Sequence, residues 1–313
     1  FQVNTYTNSF QYKPSIASLS NSKFIVTWQS YDQDGNDFGI YGQVFNVDGT
    51  KSGSEFQVNT YVTNAQQNPS VTTLSNDKFV VTWDSWDQDG TFSGIYGQIF
   101  NTDGTKSGSE FQINTETFLS QSKPSIASLS NGKFVVTWES DSQDSDGYGI
   151  YGQLFNADGT KSGSEFQVNT YTTDQQNLSS VASLSNGQFV VTWESNGQDS
   201  DGYGIYGKLF NADGTKSGSE FRVNTNTTNE QQGPSVIGMN NGRFVVAWLN
   251  EKAFLDWEIR GQIFETDIIS SSGSVTRQTR SSIEVSGAER QTTSIALTAL
   301  GWVAQTTKRV LGY

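Results

Sequence analysis

A 55-residue step runs through this chain and constrains its fold more than any other feature. The stretches SLSNSKFIVTWQS, TLSNDKFVVTWDS, SLSNGKFVVTWES, SLSNGQFVVTWES and GMNNGRFVVAWLN place tryptophans at Trp28, Trp83, Trp138, Trp193 and Trp248. A fixed period of this size marks a repeat architecture, in which each unit buries its apolar surface against the next.

Within one period, PSIASLS from Pro124 and FVVTW from Phe134 flank an Asn131-Gly132 turn. An acidic, Gly-rich loop then leads to GIYGQLF from Gly149, and NADGTKSGSE from Asn156 turns the chain into FQVNT from Phe166. Asn-Gly and Asp-Gly pairs favour tight hairpins, so each unit predicts four short strands in an antiparallel meander, the pattern of a propeller blade. Phe134, Val136 and Trp138 share one face of their strand, and Val135 and Thr137 the other. Apolar groups on both faces suit a strand sandwiched between neighbouring sheets, with the tryptophans as core between blades.

The expected fold is therefore all-β, a six-bladed β-propeller of four-stranded antiparallel blades forming one domain over residues 1–313, with the PSIASLS strands innermost and the FQVNT strands outermost. Blade boundaries are expected near 14–60, 69–115, 124–170, 179–225 and 234–286. A sixth, degenerate unit spans 292–313, with TSIALTA, GWVAQTT and VLGY as three strands and Thr306 where the tryptophan would stand. Phe1–Thr5 reads FQVNT and is expected to supply its fourth strand, closing the ring and hiding both open edges. The competing arrangement is an open array with further blades.

Composition removes several function classes. With no cysteine and no histidine, the usual ligands of zinc and haem and the nucleophile–base pairs of Ser-His-Asp and Cys-His catalysis are missing. A formal net charge of −13 and the lack of a basic stripe argue against nucleic acid as a partner. No apolar run is long enough to span a membrane.

The strongest polar candidate is the loop after each tryptophan strand, reading YDQDGNDFG, WDQDGTFSG, DSQDSDGYG and NGQDSDGYG. Its pairs Asp32/Asp34, Asp87/Asp89, Asp144/Asp146 and Asp199/Asp201 have the D-x-D spacing that can wrap two carboxylates around calcium. Only Asp34, Asp89, Asp144 and Asp199 keep a fixed phase, and the plainer reading is a soluble, tight turn. The Asp-Gly-Thr hairpins at Asp48, Asp103, Asp158 and Asp213 read as structural. Trp86, Phe92, Tyr148 and Tyr203 lie at loop positions and are candidate ligand contacts; Asn177 and Asn226 open N-x-S/T sequons placed between blades and are candidate glycosylation sites.

The repeat, N-G-x-F-V-V-T-W-x-S followed by Q-D-x-D-G-x-G-I-Y-G-Q-x-F-N-x-D-G-T-K-x-G-S-E-F-Q-V-N-T, resembles repeats of very large secreted or surface-attached proteins of bacteria and ciliates. Those proteins often carry cadherin-like or calcium-binding modules beside them. The resemblance covers Phe1 to about Phe264. It implies an extracellular or cell-surface location, makes calcium a more credible cofactor, and carries no catalytic residue onto this sequence. The expectation drawn from it is a non-enzymatic structural or adhesive scaffold, with other proteins, surface glycans or further copies as partners. Two alternatives stand beside it, a calcium-dependent carbohydrate-binding lectin and a glycan-active enzyme.

Overall fold

The computed structural model describes residues 1–266 apart from 21, 91, 254 and 255, and it is built from successive antiparallel meanders. The first sheet runs β1 (Gln11–Leu19), β2 (Lys23–Tyr31), β3 (Phe38–Asn46) and β4 (Phe56–Gln57). The second is β5 (Gln66–Thr73), β6 (Lys78–Trp86), β7 (Ser93–Asn101) and β8 (Phe111–Gln112); the third is β9 (Gln121–Ser128), β10 (Phe134–Asp141), β11 (Tyr148–Phe155) and β12 (Phe166–Gln167). The fourth comprises β13 (Gln176–Ser183), β14 (Phe189–Asn196), β15 (Tyr203–Phe210) and β16 (Lys216–Arg222). In the fifth, β17 (Gln231–Gly238), β18 (Arg243–Ala253) and β19 (Asp256–Glu265) are described. Five sheets are thus seen among the described residues rather than six, and ring closure is not among the features observed. The expected sixth unit at 292–313, and the end of the fifth beyond 266, lie outside the described residues.

The first strands of successive sheets, β1, β5, β9, β13 and β17, pack side by side, so they are the innermost strands as the pattern required. Apolar side chains then fill the space between sheets. One cluster joins Ile25, Ile40 and Val44 of the first blade to Phe79, Val81 and Trp83 of the second, and equivalent clusters recur at the following junctions. Trp83, Trp138 and Trp193 are fully buried there, which confirms them as core. Rings opposite each other in the ladder stack, as in Phe134 on Phe155 with centroids 5.1 Å apart.

The fourth strand ends earlier than FQVNT suggests, because its asparagine leaves the ladder. Asn59 Oδ1 accepts the Ile40 N–H at 2.8 Å while its Nδ2 donates to the Tyr61 carbonyl and to Gln66 Oε1. The side chain thereby ends one blade and ties it to the first strand of the next, and Asn114, Asn169 and Asn224 repeat the arrangement.

Each inner strand also carries an irregularity near its start. Asn68, Lys123 and Leu178 adopt φ of 54°, 53° and 52°, left-handed values unfavourable for such side chains. This turns the backbone N–H of each residue out of its own ladder and toward the preceding blade.

Candidate functional site

The partners of those N–H groups are the residues that follow the buried tryptophans. Gln29, Asp84, Glu139 and Glu194 occupy this position in the first four blades and Leu249 in the fifth. Gln29 Oε1 accepts from Asn68 N at 2.9 Å, Asp84 Oδ1 from Lys123 N at 3.0 Å, Glu139 Oε2 from Leu178 N at 3.2 Å, and Glu194 Oε2 from Gly233 N at 2.9 Å. Three acids are thereby held in a row between consecutive inner strands, with Asp84, Glu139 and Glu194 only 2%, 3% and 6% exposed.

Burial of a carboxyl in this setting favours its neutral form. Burial pushes Asp84 up to about 6, with the Glu139 charge adding to the rise and the bonds from Asn68 and Lys123 opposing it. Glu194 is also raised, first by burial, and further by Glu139 and Glu230. Lys123 supplies the row's cation, its Nζ lying 2.9 Å from Glu139 Oε1. Burial lowers this ammonium, but the charge of Glu139, its hydrogen bond and Glu194 outweigh that and hold it above its ordinary value. One residue therefore touches two acids, Asp84 through its backbone and Glu139 through its side chain.

Sequence reading passed over this row because the three acids differ in type and sit inside strands. The signal was present nonetheless, since a charged residue between a core Trp and a buried Ser in a two-sided strand needs a partner within the protein.

Within each D-x-D pair the carboxylate of fixed phase is bonded inside its own blade. Asp34, Asp89 and Asp144 fold back over Gly39, Gly94 and Gly149 and accept from Gln57, Gln112 and Gln167 at 2.8, 2.8 and 3.0 Å. Asp199 accepts instead from Asn224 at 3.1 Å. Their companions turn to the crossing loops: Asn64 Nδ2 donates to Asp87, and the backbone N–H groups of Asp174 and Asn229 donate to Asp146 and Asp201. Asp32 stands exposed at a φ of 60°. Among the described residues no group of three or more acidic, histidine or cysteine side chains is placed to hold a metal ion. The fixed phase of Asp34, Asp89, Asp144 and Asp199 is accounted for by the glycine they cover and the amide they bind. Asp48, Asp103, Asp158 and Asp213 cap their own turns through Thr50, Thr105, Thr160 and Thr215.

Tyr148 and Tyr203 open β11 and β15 and lie beside the acid row, their hydroxyls raised by burial and by nearby charges that include Glu139 and Glu194 respectively. Trp86, at the end of β6, and Phe92 are exposed on the neighbouring loop. Asn226 is exposed in a crossing loop, whereas Asn177 lies in the inner strand β13. The expected loop position of Asn177 is corrected: it is a strand residue, paired with Glu194 in the ladder.

No protein-family model matches the chain, and no curated protein matches it in sequence. Solved structures do match in shape. The fold is that of a β-propeller. An α-L-arabinofuranosidase of Fusarium graminearum in complex with an iminosugar inhibitor aligns with a TM-score of 0.57 at 15% identity, covering 82% of each chain. An α-L-arabinanase of Penicillium chrysogenum complexed with arabinobiose gives 0.54 at 16% identity, again over 82% of each. A Hadza microbial sialidase gives 0.55 at 11% identity, over 80% of this chain and 56% of its own.

The expectation of a non-enzymatic, structural and adhesive scaffold is overturned by these likenesses, because the proteins sharing the architecture are named as glycosidases. It was drawn from the repeat resemblance, beside a composition without histidine and cysteine. Carboxylate chemistry needs neither residue, and the acids sit in the strands rather than in the loops.

Proposed function

We propose that this protein is a glycan-active enzyme of glycoside-hydrolase type, working through the acids buried between its inner strands. The observation that carries the reading is the linkage of Asp84 and Glu139 through Lys123. Glycoside cleavage uses two carboxyl groups in different states, one protonated to deliver a proton to the leaving oxygen and one acting as base or nucleophile. Asp84, pushed up to about 6, has the environment of the acid. Glu139, facing an ammonium, is assigned the second role, with Tyr148 beside it. The strong overall negative charge and the single lysine in the row favour a neutral sugar.

The test is release of reducing ends from a panel of neutral oligosaccharides that includes arabinobiose. Cleavage by the wild type is expected to fall at least a hundredfold in Asp84→Asn and in Glu139→Gln, the scale of general acid–base catalysis. Absence of cleavage on every panel member, or full activity in both variants, sinks the assignment.

The same reading includes a sixth blade made from 292–313 and Phe1–Thr5. Phe1 packs on Phe45 with ring centroids 5.2 Å apart, as Phe56 packs on Phe100 at 5.3 Å. Lys51 donates to Thr5 as Lys106 donates to Thr60. Phe1–Thr5 thus occupies the place, relative to the first blade, that each outer strand occupies relative to the blade after it. Ile16 on β1 is 48% exposed, whereas the matching Val71, Ile126 and Val181 are 7–8% exposed beneath a preceding blade. An apolar inner strand with one uncovered face supports a further blade on that side.

A further inference from the structure

At the outer junction of the first two blades lies a cleft of about 630 Å³ whose wall includes Thr60, Tyr61, Gln88, Gln98, Lys106 and Glu110. It is built on β7, the loop that precedes it and the turn that leads to the outer strand, and its lining includes none of the inner acids. Its charged groups are one ammonium and one carboxylate, and both are already bonded. Lys106 Nζ donates to Thr60 Oγ1 at 2.8 Å, and Glu110 accepts from Thr60 N at 2.7 Å and from Gln88 Nε2 at 2.5 Å. Gln98 donates to the Ile99 and Gly108 carbonyls, at 3.0 and 3.1 Å. Two acceptors remain: Gln88 Oε1 and Gln98 Oε1 are both buried with no hydrogen-bond partner among the described residues, and Gln98 as a whole is 0% exposed. A buried amide oxygen without a donor is costly, so it calls for a partner from outside the chain, a water or a ligand hydroxyl.

The arrangement recurs at the same step. Gln33 and Gln43, and Gln143 and Gln153, likewise keep buried oxygens without partners, and the Gln-to-Glu and Lys-to-Thr bonds are repeated at Gln33–Glu55 and Lys51–Thr5, and at Gln143–Glu165 and Lys161–Thr115. The fourth blade breaks the pattern at one residue. Lys208 replaces the glutamine, is 3% exposed, and its Nζ donates to Thr170 Oγ1 at 2.6 Å, taking the place of the lysine bond seen in the other blades. Gln198 keeps its bond to Glu220 and its unpartnered oxygen, but where the other blades offer the second acceptor this junction carries its own donor.

We infer that the outer clefts of the first three blades are binding sites for a neutral carbohydrate, independent of calcium, and that the fourth is closed to it by Lys208. Sugar hydroxyls both donate and accept. They can meet amide oxygens and the lysine and threonine edge together, and their neutrality matches a cleft whose two charges offset each other. Repetition on one surface multiplies weak individual contacts into retention on a polymer. The sites use none of the inner acids, so binding and cleavage are separable.

The test is titration calorimetry of the full chain, in the presence of chelator, with neutral oligosaccharides: arabinotetraose, xylotetraose and cellotetraose. At least one is expected to bind. The variant combining Gln43→Lys, Gln98→Lys and Gln153→Lys is expected to weaken that binding at least tenfold, and because Lys208 stands at this position in the native fold, its thermal melt is expected to stay cooperative. Lys208→Gln is expected to add one site to the stoichiometry. No binding by any of the three sugars, unchanged affinity in the triple variant, or loss of binding in Asp84→Asn with retention in the triple variant each overturns the inference. Binding that persists in Asp84→Asn, with or without cleavage by the wild type, supports it and separates it from the hydrolase reading.

Discussion

The backbone N–H of Lys123 donates to Asp84 Oδ1 at 3.0 Å, so a buried carboxyl of the second blade is held by a strained residue of the third. The same oxygen accepts Asn68 Nδ2 at 2.8 Å. Both bonds converge on one atom that an amide oxygen can replace, and the first blade uses Gln29 in this way.

Asp84→Asn is therefore expected to keep the junction while removing the titration. Burial raises Asp84 from 3.8 to about 6 in the folded state. The folded protein binds the extra proton between those values, so the carboxyl's favourable contribution is complete below about pH 4 and is lost as pH rises through 6. The variant should gain stability relative to wild type between pH 4 and pH 7, by up to about 3 kcal/mol for a shift of this size. Chemical denaturation at the two pH values measures it; a constant difference between the proteins would show that Asp84 does not titrate in this range.

Lys208 carries the opposite sign. Burial, and next the neighbouring Lys216, lower its ammonium from 10.5 to about 8. The folded state then binds fewer protons than the unfolded chain between pH 8 and 10.5, and stability rises with pH through that window. Lys208→Gln, restoring the residue of the other blades, should raise the melting temperature at pH 7 and lose that advantage by pH 10.5. A variant that melts lower than wild type at pH 7 would show the amine to be a net stabilising contact.

Most of the fold was legible because its signals are local and repeated: the Asn-Gly and Asp-Gly turns, the two-sided apolar FVVTW strand and the fixed tryptophan. The outer strand was overestimated because Asn59 and its equivalents look like strand-end residues but bind as backbone mimics, a role set by a neighbouring blade. The bonding of the acid row was not legible, for a related reason. Asp84, Glu139 and Glu194 bond to N–H groups 39 positions ahead, exposed only because Lys123, Leu178 and Gly233 leave their ladders. Acidic loops attracted attention by composition, whereas the candidate site rests on which carboxyls the tertiary structure dehydrates.

The last described junction offers a steric test of blade packing. A Cβ built on Gly238 would run into the Ser183 carbonyl of the preceding inner strand, and backbone cannot yield as a side-chain tip can. Gly238→Ala is expected to destabilise the fold by about 1–3 kcal/mol, the usual cost of overpacking. Ser183→Ala, which keeps the same carbonyl, should not rescue it. Unchanged stability in Gly238→Ala would mean that β13 and β17 are free to separate.

The uncovered face of the first inner strand decides the closure of the ring. Ile16 and Val71 occupy the same position in consecutive repeats, yet only Val71 has a blade in front of it among the described residues. A substitution at a water-facing site changes stability by no more than about 0.5 kcal/mol. Placing an unpartnered amide in a covered apolar site costs the lost burial and the desolvation of the new group, together about 2–4 kcal/mol. If the sixth unit packs on β1, Ile16→Asn and Val71→Asn should therefore be similarly destabilising in equilibrium denaturation of the full chain. A neutral Ile16→Asn beside a damaging Val71→Asn would show that the first strand faces water and that the blades form an open array.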